Sequence, residues 1–420
     1  MLRRTFVALM LVCLLAVGLG SGLILAAEKV TITWWGHNYP LLVSMYEELI
    51  KQFEKENPDI HVEYYQKPGA QYNELVLTAI AGGSGPDVFR VGDWTINEYI
   101  RDGVVAPLDI RAFGAKTVKE VVDRFVPGVL DPFLRKEGLY AVPEDACNLL
   151  LVVNLDHLKE AGFAKPPANA VDWVTAMQKM TKVQNGRWIR SGFEWKYDHE
   201  LWDTQQFTVL LRNEGTTLYN PDGTLALDKE KTIKALKYYY DSIHTAKFAN
   251  PDFAATFGSI SPDVFTRGFA STYTAGMWVT PLINNHKIVK NWVATDWITG
   301  PHQSTIRWSW SYGLNAASKH KLEASKFIAF LSRPDIVEKR LKLGGIVAGL
   351  KGWEESPWIQ AHPEVRPWIA VLGKSRYLDR FSSYAAVSVA VSKVMQDISM
   401  GGMTPEDAYK ELVAKLPRSQ

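Results

Sequence analysis

Cysteine is almost missing from this chain: two residues in 420, Cys13 and Cys147. Cys13 lies in an apolar N-terminal stretch. Cleavage of that stretch leaves Cys147 alone, which excludes an intrachain disulfide and leaves the core to hold the fold. As a lone cysteine it reads as a small apolar core residue. An excess of one charge is also missing. Lys and Arg total 47 against 45 Asp and Glu, too balanced for the basic face that nucleic acid requires. The nine histidines are scattered, and His199-Glu200 has no second histidine four residues on, so no metal is expected. No Gly-x-Ser-x-Gly elbow occurs. Ala81-Gly-Gly-Ser-Gly-Pro86 lacks the Lys-Ser/Thr pair of a phosphate loop and follows a helical stretch, so it reads as a helix end and a turn. Short repeats and low-complexity linkers are lacking too.

The N-terminus has a recognisable pattern. Arg3 and Arg4 precede an uncharged run from Phe6 to Leu25, which ends in Leu25-Ala26-Ala27. This is the layout of an export signal spanning 1–27. A retained anchor is the alternative, because the run approaches membrane-spanning length. Val12 before Cys13 does not suit lipid modification. Removal of two arginines leaves 45 basic against 45 acidic residues.

Aromatic residues are plentiful: 15 Trp, 17 Tyr and 17 Phe. Many tryptophans sit beside polar or glycine-rich turns, as in Trp34-Trp35-Gly36, Asp93-Trp94 and Trp308-Ser309-Trp310. A buried core does not need such neighbours, whereas a binding cleft does.

Periodicity places strands at Val30 to Trp34, Ile60 to Tyr65 and Val88 to Val91, with helices over Leu41 to Glu56, Tyr72 to Ala81 and Ile96 to Arg101. This β-α-β-α-β rhythm predicts a largely parallel sheet covered by helices. Leu149 to Val153 reads as a buried strand and Val171 to Lys182 as a helix. Ile233 to Ile243 is a further helix, Ala270 to Met277 a strand and Leu322 to Leu331 a helix. Thr404-Pro-Glu-Asp407 opens a last helix with a cap, a proline and two acids.

Taken in order, several fragments resemble the solute-binding proteins of sugar ABC importers, the maltose-binding type. They are Val30-Thr-Ile-Thr-Trp-Trp-Gly36, Phe53-Glu-Lys-Glu-Asn-Pro-Asp-Ile60-His-Val62, Gly85-Pro-Asp-Val88, Gly138-Leu-Tyr-Ala-Val-Pro143, Asn154-Leu-Asp156, Tyr312-Gly-Leu-Asn315 and Met403-Thr-Pro-Glu-Asp-Ala408. The resemblance implies an α/β, two-lobed periplasmic-binding-protein fold of type II, each lobe a mostly parallel sheet flanked by helices. It places residues 28–140 and 273–317 in the first lobe and 141–272 and 318–420 in the second. The implied ligand is a sugar, oligosaccharide or polyol, captured by hinge closure and passed to the importer's membrane permease. The implied protein is an exported monomer with no cofactor, no metal and no catalysis.

Carried over residue by residue, the binding set is Trp35, His37, Asn38, Tyr39, Asp93, Trp94, Glu144, Asp145, Asn148, Trp195, Tyr197, Trp278, Trp310 and Tyr312. Ala146-Cys147 stands where a polar contact is usual, and Phe248 to Thr266 has no clear counterpart. The chemistry suits the set. Trp and Tyr offer flat apolar surface to the C–H faces of a sugar, each stack worth roughly 1–1.5 kcal/mol over about 50 Å². Trp34 is expected to be inward and structural, since strand alternation puts it opposite Trp35. Two other readings stay open: a secreted glycosidase using Glu144-Asp145 or Asp198 and Glu200, and the same fold binding a non-sugar solute.

Overall fold

The structure is a computed structural model that describes residues 29–37, 42–68, 71–196, 200–257 and 262–418. The expected N-terminal signal therefore lies outside the described residues, as do the predicted ligands Asn38, Tyr39 and Tyr197.

Strand β1 (Val30–His37) buries Ile32 and Trp34 and turns Thr31, Thr33 and Trp35 the other way, as alternation requires. Helix α1 (Val43–Glu56) buries Met45, Tyr46, Leu49, Ile50 and Phe53, one apolar stripe. It stops at Asn57, whose side-chain amide donates to the Phe53 carbonyl at 3.0 Å. Strand β2 (Ile60–Lys67) follows, then α2 (Tyr72–Ala81). The glycine stretch is a helix end: Gly82 is the C-cap and Gly83 has a φ of +72°. Next come the wholly buried β3 (Val88–Gly92), α3 (Ile96–Arg101) and β4 (Val105–Ala106).

The chain then leaves this sheet through β5 (Ala141–Pro143) and β6 (Cys147–Asn148) to β7 (Leu150–Asn154). Helices α4 (Ala170–Met180), α5 (Glu200–Asn213) and α6 (Lys229–His244) precede β8 (Thr272–Ala275) and β9 (Trp292–Thr295). The path returns through β10 (Arg307–Trp308) to β11 (Trp310–Asn315) and then α7 (Lys321–Leu331) and α8 (Pro334–Gly344). Helices α9 (Pro357–Ala361), α10 (Arg366–Leu372), α11 (Tyr384–Ser399) and α12 (Pro405–Lys415) complete it. Thr404 caps α12 by accepting the Asp407 N–H, with Pro405 in the first turn.

Two sheets organise the molecule. The first has the order β2-β1-β3-β11-β4, with β5 on β11. Its β2, β1 and β3 are parallel, while β11 runs antiparallel to β3, β4 and β5. The second is β8-β7-β9 with antiparallel pairs throughout, so the expectation of a mostly parallel sheet holds only for part of the first lobe. The lobe boundaries also move. β8 and β9 pair with β7, so residues 273–309 belong to the second lobe and the return crossing lies at Trp308–Trp310. α7 and α8 pack into the first core through Phe327, Ile328, Leu331 and Val337. Lys351 still bonds to Arg124 of that lobe, whereas Ile359 and Trp368 pack on the second sheet. The last crossing therefore lies between 351 and 357, not near 318. An apolar run marks a buried strand, but only its pairing partner decides the sheet and the direction.

Candidate functional site

Short strands carry aromatic side chains out of both sheets and bring them together at the crossings. Trp94 follows β3 in the first lobe but packs within the second lobe's apolar cluster. Its ring centroid lies 4.8 Å from Trp310 and 6.4 Å from Trp308. Trp308 lies 6.0 Å from Trp202 of α5, which lies 6.4 Å from Trp278 just past β8. The five indoles form one continuous seam from lobe to lobe. Trp202, Trp278 and Trp310 keep part of their surface exposed.

Two glycines make room for two of the indoles. A Cβ on Gly92 would stand 2.4 Å from the Trp94 ring, and one on Gly276 would stand 2.8 Å from that of Trp278. Each indole therefore folds back over a glycine two residues earlier. Gly-x-Trp occurs at both places in the sequence and was the signal available for this arrangement.

Polar groups fix the frame beneath. The Ser309 N–H donates to Asp93 Oδ1 at 2.7 Å and the Trp310 N–H to Asp145 Oδ1 at 2.6 Å. These two carboxylates lock the crossing that presents Trp308 and Trp310. Burial pushes the Asp93 carboxyl well above its usual range, against the Ser309 hydrogen bond. Burial likewise lifts Asp145 to about 7, opposed by Arg90 and reinforced by Glu144. The Arg90 guanidinium pairs with Glu144 Oε2, and Tyr46 donates to Oε1. Arg90 also lies 4.5 Å from the Trp310 ring centroid, so the buried pair sets that ring's position.

Not all predicted residues reach the seam. Asp93, Trp94, Asp145, Trp278 and Trp310 do. Trp35 lies half-buried beside the first core, with Lys67 Nζ 4.0 Å from its ring centroid. The backbone of His37 belongs to β1. Both carboxylate oxygens of Glu144 are held inside the protein, as above. Tyr312 is fully buried and its hydroxyl accepts from Arg340 at 2.8 Å. Asn148 donates to the Trp368 carbonyl at 2.8 Å and accepts from Ser375. Trp195 is buried among Phe193, Tyr239 and Trp297 and donates to Ser242 at 2.8 Å. Burial and occupied polar atoms make Glu144, Asn148, Trp195 and Tyr312 framework, not exposed ligand contacts. Cys147 is likewise buried, its thiol held protonated by burial.

Trp202, Trp308 and Lys196 also sit at the seam, and sequence reasoning did not name them as binding residues. Lys196 is 7% exposed and its ammonium lies 3.5 Å from the Trp202 ring centroid, with Tyr273 and Trp278 also within 6 Å. Its position beside Trp202 and Trp278 is a long-range contact, which no spacing reveals. Beside Trp94 a cavity of about 380 Å³ is lined from both lobes by Asp93, Asn97, Arg307, Tyr377 and Arg380 among others. A larger one of about 910 Å³ lies against Phe53, Phe125, Phe330 and Trp353 and shares no residue with the seam. Of these two, the smaller alone touches the inter-lobe aromatics, through Trp94. Among the described residues no cluster of His, Cys, Asp or Glu could hold a metal, and no helix is long and apolar enough to cross a membrane.

Two α/β lobes joined by three crossings, with an aromatic seam between them, define a two-lobed binding protein. The chain belongs to the bacterial extracellular solute-binding protein family, whose sequence profile matches residues 39–338. A binding protein of Brucella abortus is 24% identical over 378 residues, 88% of each chain. An erythritol/L-threitol-binding protein of Mycolicibacterium smegmatis is 24% identical over 325 residues, 72% of this chain and 66% of that one. An ABC substrate-binding protein of Listeria monocytogenes, solved with cycloalternan, superposes with a TM-score of 0.80 at 22% identity, over 92% of this chain and 97% of that one.

Proposed function

We propose that this protein is the substrate-binding component of an ABC importer and captures a sugar, oligosaccharide or polyol between its lobes. The observation that carries the reading is the seam. Three partly exposed indoles lie where lobe meets lobe, and the described carboxylates Asp93, Glu144 and Asp145 around them are engaged by protein partners. Flat apolar faces match the C–H faces of a sugar, and the engaged carboxylates favour binding over glycoside cleavage, which needs two free carboxyl groups across the ligand. Polyhydroxylated ligands named for relatives, cycloalternan and the tetritols, support the same class. The N-terminal segment supports export, and delivery to a membrane permease follows from the family's role. Closure of two lobes over the solute would exclude water and strengthen every polar contact within.

A thermal-shift screen over saccharides, polyols and amino acids tests this. A ligand at a hundred times its dissociation constant adds about 2.7 kcal/mol, several degrees of melting temperature. At least one saccharide or polyol should give such a shift. A shift confined to amino acids would overturn the carbohydrate assignment while leaving a binding protein.

A further inference from the structure

We infer that the inter-lobe cavity beside Trp94 is an anion subsite that takes the carboxylate of a sugar acid, so that the ligand is an acidic saccharide. This rests on the reading of the seam as a carbohydrate site and names the substrate class within it. The cavity, of about 380 Å³, is lined by Asp93, Asn97 and Gly128 of the first lobe and by Arg307 and residues 373–380 of the second. Trp94 belongs to both places: it lines the cavity and stands edge-on to Trp310 in the seam. Cavity and seam thus share a wall.

Arg307 is 2% exposed, yet it forms no ion pair with a carboxylate among the described residues. Its polar contacts are to neutral groups: Nε donates to the Ser375 hydroxyl at 3.3 Å and Nη2 to the Leu372 carbonyl. Nη1 faces Gly128, where a Cβ would stand 3.2 Å from it. A buried guanidinium without a counter-ion is costly, and this one borders a cavity. The surrounding charges do not cancel it. Lys374, Arg376 and Arg380 line the same cavity, against Asp93, Asp131 and Asp379. Asp379 is taken up by Arg212, Thr217 and the N–H groups of Leu218 and Tyr219. Asp93 accepts from the Ser309 N–H, and its burial favours the neutral acid. Four cations are left against Asp131. The first lobe adds a neutral donor, because Asn97 Oδ1 accepts from Arg135 and leaves its Nδ2–H groups to donate. A carboxylate has two oxygens, which can accept from Arg307 on one lobe and Asn97 on the other. Such an anion also draws the lobes together.

The test is calorimetric titration of the full protein with D-glucuronate, D-galacturonate, trigalacturonate and D-gluconate, each beside its neutral counterpart, and with acetate, inorganic phosphate and glutamate. At least one acid should bind ten-fold or more tightly than its counterpart, and added salt should narrow the gap. Arg307→Gln should bring that ratio close to one. Because Arg307 is buried, Arg376→Gln is the companion variant: its side chain is exposed, so it should melt like wild type and still lower the ratio several-fold. Neutral carbohydrates that bind as tightly as every acid overturn the anion subsite and leave the carbohydrate reading intact. An acid preference that survives both substitutions places the anion elsewhere and overturns the assignment. Acetate or phosphate binding as tightly as the sugar acids marks a free-anion site and overturns the sugar acid. If no carbohydrate of either kind binds, with or without glutamate binding, the reading of the seam falls and the inference with it.

Discussion

Trp278 and Trp195 carry the same side chain in opposite situations. Trp278 is partly exposed at the seam, whereas Trp195 is packed among three aromatic rings with its N–H satisfied. Trp278→Ala should weaken ligand binding by about 1–3 kcal/mol, roughly 5- to 150-fold, through lost stacking area, with little change in unliganded melting. Trp195→Ala should instead cost about 3–5 kcal/mol of stability. Calorimetric titration and thermal melts on both variants decide this; equal melting losses would place Trp278 in the core. Asp145 makes a second prediction. Its carboxyl is raised to about 7 by burial, above the ~3.9 of an unfolded chain. The folded state therefore holds that proton more tightly, so its contribution is full below about pH 4 and is lost as pH rises toward 7. Asp145→Asn should flatten this decline, read as urea midpoints on either side of the window. An unchanged slope would mean that Asp145 does not titrate there.

Helix α11 is held at its start by the other lobe. Its first N–H, on Tyr384, donates to Glu98 of α3, Ser383 caps the next turn, and Arg101 donates to the Ser382 carbonyl at 2.8 Å. A carboxylate at a helix N-terminus is stabilising, and here the contact also joins the lobes beside Trp94, whose ring lies 6.3 Å from that of Tyr384. Glu98→Ala should lower stability by about 0.5–2 kcal/mol and quicken ligand release several-fold, measurable by stopped-flow Trp fluorescence. Unaltered release would show that the contact does not bear on closure. The glycine supports are also an element-scale feature. Gly276→Ala should displace the Trp278 ring and reproduce much of the Trp278→Ala binding loss, whereas a variant with wild-type affinity would show that the ring tolerates the shift.

For the molecule as a whole, closure predicts a smaller radius of gyration on adding an accepted ligand, seen by small-angle scattering. Identical scattering with and without saturating ligand would argue for a preformed closed state. Export predicts an intact mass for the cell-envelope protein that begins near Ala27 or Glu28, and a mass including Met1 would contradict cleavage.

Much of the first lobe, and the start of the second lobe's last helix, was legible in the chain itself. Alternation in β1 separates inward Trp34 from outward Trp35, a helical stripe defines α1, and Thr404-Pro405 starts α12, because these are short-range rules of side-chain direction and capping. Tertiary structure alone decided the rest. Ala270 to Met277 read as a strand, but only the antiparallel pairing of β8 and β9 with β7 placed residues 273–309 in the second lobe. Glu144, Asn148, Trp195 and Tyr312 look like ligand groups in sequence, yet each is claimed by a partner tens to hundreds of positions away. Trp202 and Trp308 meet only when α5 is packed against the crossing. Local periodicity reports which face of an element is buried, whereas sheet membership and the satisfaction of a polar atom depend on long-range contacts that no spacing along one chain encodes.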